Sequence, residues 1–247
     1  MNVLVTGAAS GIGRATCLRL ARDGRARGQA AKIAAVDLGP SPGLDGLIEE
    51  LRALGAEAVA LPGDMGTADA PVRVVGEAMS RFGGLDGLVS NAGINRPGPL
   101  AAYSVEDWDR VFAVNTRATW LLVKAAHPAL GASRGAIVAV GSMSGSNAHA
   151  NLGAYGPSKA ALIMLGSSRS VPRARGERLI VAQSTIALEL LPRTHPVRSL
   201  AVDGQPRLVA GAKVEVRRPG RHGESPRRSL QRAEPPQDDR RAHGCGS

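Results

Sequence analysis

Asn2-Val3-Leu4-Val5-Thr6-Gly7-Ala8-Ala9-Ser10-Gly11-Ile12-Gly13 passes from a short apolar run straight into a cluster of glycines. The run suits a buried parallel strand. Beyond the glycines, Arg14 to Arg22 carries Ala15, Leu18 and Ala21 at helical spacing. The order is therefore strand, glycine turn, helix. Glycines let a backbone approach a pyrophosphate, and the free N–H groups at a helix start attract its charge. A glycine cluster alone is a weak signal, and its place between a strand and a helix strengthens it. On this reading Gly7, Ser10, Gly11, Ile12 and Gly13 bind a dinucleotide. The plain alternative is a glycine-rich turn without a ligand.

Moving outward, Ile33-Ala34-Ala35-Val36-Asp37 is a second strand ending in an acid. Asp37 lies 24 residues after Gly13, near the roughly 20 expected of a carboxylate that binds the adenosine ribose hydroxyls. A carboxylate there repels a 2′-phosphate, and Ser10 brings no positive charge to offset it. The reading favours NAD over NADP, with Leu38 counted beside Asp37 in the site. The alternative for Asp37 is a helix cap or turn residue. Residues 24–32 make a longer and more basic connection than such a unit needs.

The pattern continues in the same style. Residues 47–54 read as a helix closed by Gly55, and residues 58–61 as a third strand. Asp64 and Met65 lie past its end, where Asp64 either meets the adenine edge or caps the helix beginning near Ala68. Residues 72–82 are the next helix and residues 85–90 the fourth strand, ended by Asn91-Ala92-Gly93. Small residues there leave room for a cofactor ribose, although an Asn side chain also ties strands together. Residues 105–126 form one long helical pattern containing Asn115. A buried amide without partners costs roughly 1–3 kcal/mol. Asn115 therefore either holds a water beside Lys159 or is a satisfied interhelical amide. Residues 136–140 are the fifth strand, which delivers Ser142.

Tyr155-Gly156-Pro157-Ser158-Lys159 places a phenol and an ammonium four residues apart. At the start of a helix such residues share a face. A free tyrosine, with a pKa near ~10, is a poor base at neutral pH, and a nearby cation favours its phenolate. Ser142 can bring a hydroxyl to the same place. Together the three suit proton transfer to or from a carbonyl or alcohol oxygen. The bland alternative is an ordinary helix start with a surface lysine.

These motifs in series resemble the short-chain dehydrogenase/reductase family: Thr6-Gly7 through Gly13, Asn91-Ala92-Gly93, Asn115, Ser142 and Tyr155-x-x-x-Lys159. The resemblance covers residues 1–165. It implies an α/β, doubly wound, Rossmann-like parallel sheet with NAD(P) at the strand C-terminal ends. It also implies hydride transfer between nicotinamide and a secondary alcohol or ketone. By the resemblance, Tyr155 is the acid/base, and Lys159 favours its phenolate and binds the nicotinamide ribose. Ser142 orients the substrate oxygen, and Asn115 holds a proton-relay water. The family's usual assembly, a homotetramer or homodimer, is formed through the two long helices containing Asn115 and Tyr155.

Composition divides the chain in two. Residues 1–165 hold 15 Lys/Arg against 13 Asp/Glu, residues 166–247 hold 16 against 8, and all six aromatics lie at or before Tyr155. The excess charge is thus a property of the last third. Tail arginines attract phosphate without reading sequence, but no aromatic interleaves them for base stacking, so nucleic acid is not the expected partner. The expected boundaries are one catalytic domain over residues 1–216, atypical after 165, and an Arg/Pro/Gly-rich disordered tail over 217–247. Residues 179–182 sit where a sixth strand belongs, and Pro172 ends or kinks the helix before it. Gln183-Ser184-Thr185 stands where the family has Pro-Gly, and residues 213–216 suit one further strand. The last third reads as diverged or as a shifted reading frame, which keeps a second reading open: a dinucleotide-binding protein of this fold that has lost turnover.

No apolar run approaches the ~20 residues of a membrane span, no signal peptide is recognised, and Cys17 and Cys245 give no metal-ligand or disulfide pattern. The expectation is a cytoplasmic protein with no metal site. His149, between Ser142 and Tyr155, either lines a substrate pocket or is an ordinary loop histidine.

Overall fold

The computed structural model describes residues 1–167 and 178–183, all within the unit Met1–Arg198. Among the described residues six strands are present: β1 (Asn2–Thr6), β2 (Lys32–Asp37), β3 (Glu57–Pro62), β4 (Gly87–Ser90), β5 (Ala136–Gly141) and β6 (Arg178–Gln183). They form one parallel sheet in the order β3-β2-β1-β4-β5-β6. The order reverses between β1 and β4. In a doubly wound sheet that reversal opens a crevice outside the strand C-terminal ends, where ligands bind.

Six α-helices among the described residues cover the sheet: α1 (Gly11–Ala26), α2 (Pro42–Ala53), α3 (Ala70–Phe82), α4 (Val105–Phe112), α5 (Ala118–Ser133) and α6 (Tyr155–Ser167). Alternation along the strands sends residues to two separate cores. Val3, Val5, Ile33 and Ala35 pack with Leu20, Leu44, Leu47 and Leu51 of α1 and α2. Leu4, Ala34, Val36, Leu88 and Ile137 pack with Val74, Ala78, Leu122 and Leu130 of α3 and α5. Both faces are covered, which is why the strands read as unbroken apolar runs. Cys17 lies in the first core, where burial pushes its thiol up to about 12.

The expected doubly wound sheet is the observed fold, with differences at element ends. Residues 24–26 belong to α1 rather than to a connection. Gly24 is buried, and a Cβ on it would lie 2.7 Å from the Gln29 carbonyl oxygen, so glycine lets the returning chain pass close. α2 begins five residues before the expected start. Ser41 caps it by accepting from Leu44 N at 3.2 Å, and Pro42 takes the first helical position. The long pattern of residues 105–126 is not one α-helix: a π-helical turn, Ala113–Arg117, separates α4 from α5. Residues 179–182 do lie in a sixth strand. The Gln183-Ser184-Thr185 segment past Gln183, Pro172, residues 213–216, Cys245 and the tail lie outside the described residues. So does the end of the domain expected at residue 216.

Candidate active site at the strand-order reversal

Three glycines set the floor of the crevice, each for a different reason. Gly7 has φ +65°, and a Cβ there would lie 2.8 Å from Asn91 Nδ2. At Gly13 a Cβ would overlap the Gly7 carbonyl, so this glycine lets α1 press against the turn. Gly11 has φ +53° and nothing within 4 Å of its missing Cβ, so the space above it is open. Ser10 is the N-cap of α1, yet its side chain makes no capping bond and the first turn contains no acid. The first N–H groups of a helix have no intrahelical acceptor and carry partial positive charge. Here they face a cleft of about 380 Å³.

The same cleft is lined by the other residues expected at the adenosine end. Asp37 Oδ2 accepts from Ala9 N and Oδ1 from Leu38 N, each at 2.8 Å. Each oxygen keeps capacity for a hydroxyl donor. Leu38 and Ile12 also line the cleft and are 66% and 37% exposed, apolar surface without a protein partner to cover it. Asp64 does not cap a helix. Its Oδ1 accepts from Gly66 N and from Arg110 Nη2, each at 2.8 Å. The Arg110 guanidinium bonded to it holds its carboxyl below the usual range, and the Gly66 N–H acts in the same direction. Met65 is buried beside it on the cleft wall. A turn shaped for close approach, free helix-start donors, a ribose-facing acid and bare aliphatic walls fit a dinucleotide.

Asn91, Ala92 and Gly93 line the cleft as well, and Asn91 ties strands together there. Its Nδ2 donates to the Thr6 and Gly7 carbonyls at 2.9 and 3.1 Å. Thr6 Oγ1 accepts from the backbone N–H groups of Asn91 and Ala92, both at 3.0 Å. The knot joins the ends of β1 and β4, the two strands that flank the reversal.

Asn115 is 1% exposed and its side chain is fully engaged. Oδ1 accepts from Ile94 N at 2.8 Å, and Nδ2 donates to Ile94 O and to Ser158 Oγ, both at 3.0 Å. Its side chain is thus satisfied by protein partners. Ser158 Oγ in turn donates to Tyr155 O at 2.7 Å, and Thr116 Oγ1 donates to Ser158 O at 2.9 Å. A buried chain of bonds thus runs from the loop after β4, through the π turn, into the first turn of α6.

That turn presents Tyr155 and Lys159. Lys159 is 4% exposed, and its Nζ donates to Val140 O at 2.8 Å. No carboxylate pairs with it among the described residues. Burial alone pulls its pKa down from 10.5 to about 8. Nζ lies 5.8 Å from the centre of the Tyr155 ring. A Cβ on Gly93 would stand 3.5 Å from this nitrogen and 3.3 Å from Asn115 Oδ1. The Tyr155 hydroxyl makes no hydrogen bond among the described residues. Ser142 starts the 3₁₀ turn Met143–Gly145, where its Oγ accepts from Ser144 N at 3.2 Å. No hydrogen bond joins the Ser142 and Tyr155 hydroxyls.

Sequence reasoning missed Ser158, which directly precedes Lys159 and lies three residues after Tyr155, the spacing at which a serine hydroxyl reaches a backbone carbonyl. It also missed Arg110, which nothing in the sequence paired with Asp64. Among the described residues, no cluster of His, Cys, Asp or Glu is placed to hold a metal ion, and no helix is long and apolar enough to cross a membrane.

With that geometry in place, comparisons identify the family. The family described as short chain dehydrogenase matches residues 1–177. The short-chain dehydrogenase/reductase eriH of Hericium erinaceus is 37% identical over 187 residues, 73% of this chain and 71% of that protein. The 3-oxoacyl-(acyl-carrier-protein) reductase FabG of Staphylococcus aureus is 31% identical over 184 residues, 74% of this chain and 72% of that one. Among solved structures, an NAD⁺-bound xylitol dehydrogenase superposes with a TM-score of 0.64 at 31% identity, covering 71% of this chain and 66% of its own. The chain belongs to the short-chain dehydrogenase family, oxidoreductases that work with nicotinamide cofactors.

Proposed function

From that membership we infer that the protein transfers a hydride between NAD and a secondary alcohol or ketone, with Tyr155 moving the proton. One observation carries the reading: among the described residues, Lys159 is buried without a counter-charge beside a phenol that has no hydrogen-bond partner. A buried cation is costly, and a site that keeps one has a use for it. The dinucleotide, when bound, supplies or takes the hydride. Gly7, Gly11 and the first turn of α1 would hold its pyrophosphate, Asp37 and Leu38 its adenosine ribose, and Asp64 and Met65 its adenine, while Asn91, Ala92 and Gly93 would border the nicotinamide half.

The chain's own groups handle the proton. Tyr155 donates it to a carbonyl oxygen in reduction and removes it from a hydroxyl in oxidation. Lys159 Nζ gives one N–H to Val140 O, and its other two donors would remain for the nicotinamide ribose. Ser142 Oγ turns from Ser144 N to the substrate oxygen. Asn115 keeps the loop after β4 and the turn carrying Tyr155 in register, and any proton-relay water bears on its backbone rather than its side-chain donors. The acid at position 37 disfavours a 2′-phosphate, which supports NAD over NADP. Exposed Trp120 on α5 and Met164 on α6, 48% and 70% accessible, support pairing of copies through the helices containing Asn115 and Tyr155, as a homodimer or homotetramer.

The test is a substrate panel read with NADH and NADPH: xylitol and ethyl 3-oxobutanoate, chosen because the similar proteins include a xylitol dehydrogenase and a 3-oxoacyl-(acyl-carrier-protein) reductase. Tyr155→Phe should bind NADH as the wild type does and turn over nothing. Normal turnover by Tyr155→Phe sinks the assignment of the proton donor. Binding without hydride transfer in the wild type would favour a chain that keeps the nucleotide site and has lost catalysis.

A further inference from the structure

Two loops leave the sheet on the Tyr155 side of the crevice, residues 91–104 after β4 and residues 142–154 after β5. The structure joins them. Gly98 and Leu152 form a parallel bridge. Gly98 N donates to Asn151 O at 2.8 Å, and Gly153 N donates to Gly98 O at 3.0 Å. Asn151 and Gly153 both have left-handed backbone, at φ +58° and +52°. Tyr103 sits over this junction. A Cβ on Gly153 would overlap one edge of its ring, nearest Cε2, 2.5 Å from Cζ and 2.8 Å from Cδ2. The Tyr103 hydroxyl donates to Arg96 O at 2.7 Å, and Arg96 pairs with Asp107 at 3.2 Å in the first turn of α4. The ring therefore occupies the place where any other residue at 153 would carry its side chain.

Gly153 is two residues from Tyr155. Between them, Ala154 is fully buried. Tyr155 N donates to Leu152 O at 3.0 Å, and Ser158 N donates to Ala154 O at 2.9 Å. Whatever fixes residues 152–154 fixes the entry of the chain into α6, and with it the direction of the phenol. We propose that Tyr103 is a positioning residue: its ring, seated on Gly153, clasps the two loops into one unit and aims Tyr155 at the substrate oxygen. The role rests on the reading of Tyr155 as the proton donor. Proton transfer requires the two oxygens within hydrogen-bond reach, and a misplacement of about 1 Å costs as much as ~100-fold in rate.

The chain contains only two tyrosines, so a variant lacking Tyr103 keeps a single reporter at Tyr155. Protein labelled with 3-fluorotyrosine should give one sharp ¹⁹F resonance in Tyr103→Phe, at the shift Tyr155 shows in wild type. In Tyr103→Leu that resonance should move or broaden. With the fastest substrate of the panel, Tyr103→Leu should lose roughly 10- to 100-fold in kcat while its NADH dissociation constant stays that of wild type, and Tyr103→Phe should restore kcat. Gly153→Ala keeps both tyrosines, so its Tyr155 resonance, assigned by comparison with Tyr103→Phe, should move or broaden as it does in Tyr103→Leu; this variant carries the test if Tyr103→Leu does not fold. An unmoved Tyr155 resonance with wild-type kcat in Tyr103→Leu, or in Gly153→Ala, overturns the proposal. Wild-type turnover by Tyr155→Phe would instead overturn the proton-donor reading, and the fluorine spectrum, which needs no substrate, separates the two failures.

Discussion

Ser10, Ser41 and Ser104 each precede a helix, and they do different things. Ser41 accepts from Leu44 N and Ser104 from Asp107 N, and both helices carry acids in their first turns. α2 and α4 thus satisfy their own starts. Ser10 leaves its helix without a side-chain cap, and the first turn of that helix has no acid; α6 likewise has no acid in its first turn while burying a lysine in its second. α3 and α5 also start without a capping bond from the N-cap side chain or a first-turn acid, so what sets the α1 start apart is that Ser10, Gly11 and Ile12 line the cleft. A helix start left without internal acceptors is a standing attraction for a negatively charged ligand.

The contrast can be broken by experiment, and the largest effect should come at Gly13. Gly13→Ala drives a methyl into the Gly7 carbonyl and should cost about 3 kcal/mol in denaturant unfolding. At Gly11 nothing opposes a methyl except the backbone angle, so Gly11→Ala should cost about 1 kcal/mol of stability while still blocking NADH. Equal losses at the two glycines would mean that the space above Gly11 is not a ligand's.

Lys159 comes next, with the sign reversed. Its folded pKa, about 8, lies below the ordinary 10.5. Between those values the unfolded chain binds more protons than the folded one, so stability rises with pH across that window. Below pH 8 the burden is full, on the order of 3 kcal/mol for the ligand-free protein. Lys159→Met should therefore stabilise the fold at pH 7 by about 2 kcal/mol, after allowing for the Val140 carbonyl left without its donor, and abolish turnover. Its unfolding free energy should lack the wild type's rise from pH 8 to 10.5. A destabilised Lys159→Met would show that the lysine serves the fold rather than the chemistry. The smallest effects belong to the caps: Ser41→Ala should cost about 1 kcal/mol and Ser10→Ala a few tenths. Equal costs would erase the distinction between the two kinds of helix start.

How much of this was legible beforehand depended on whether the physics was local. The glycine turn, the alternating apolar strands and the Tyr155/Lys159 spacing are written within a few residues, and all were read. The sixth strand was read from four apolar residues in an otherwise unfamiliar stretch. The π turn was not legible, because residues 113–117 keep an apolar stripe whether the turn is α or π. Asn115's partners come from Ile94 and Ser158, 21 and 43 residues away, so the sequence left its role open. The Asp64–Arg110 pair spans 46 residues and announced itself only as an ordinary charge on each of two elements. Tyr103 over Gly153 joins two loops with no periodicity to read.

The most direct test of the central idea, that α1 begins with its donors held for an anion, is calorimetric titration of NADH into wild type and Ile12→Asp. Ile12 is 37% exposed on the cleft wall, so the change adds a charge to the first turn of α1 without opening a core. The wild type should bind NADH, and Ile12→Asp should keep its melting temperature and bind about 30-fold more weakly, the equivalent of ~2 kcal/mol at a partly buried helix terminus. Undiminished affinity in Ile12→Asp, or no binding of either dinucleotide by wild type, would contradict the account.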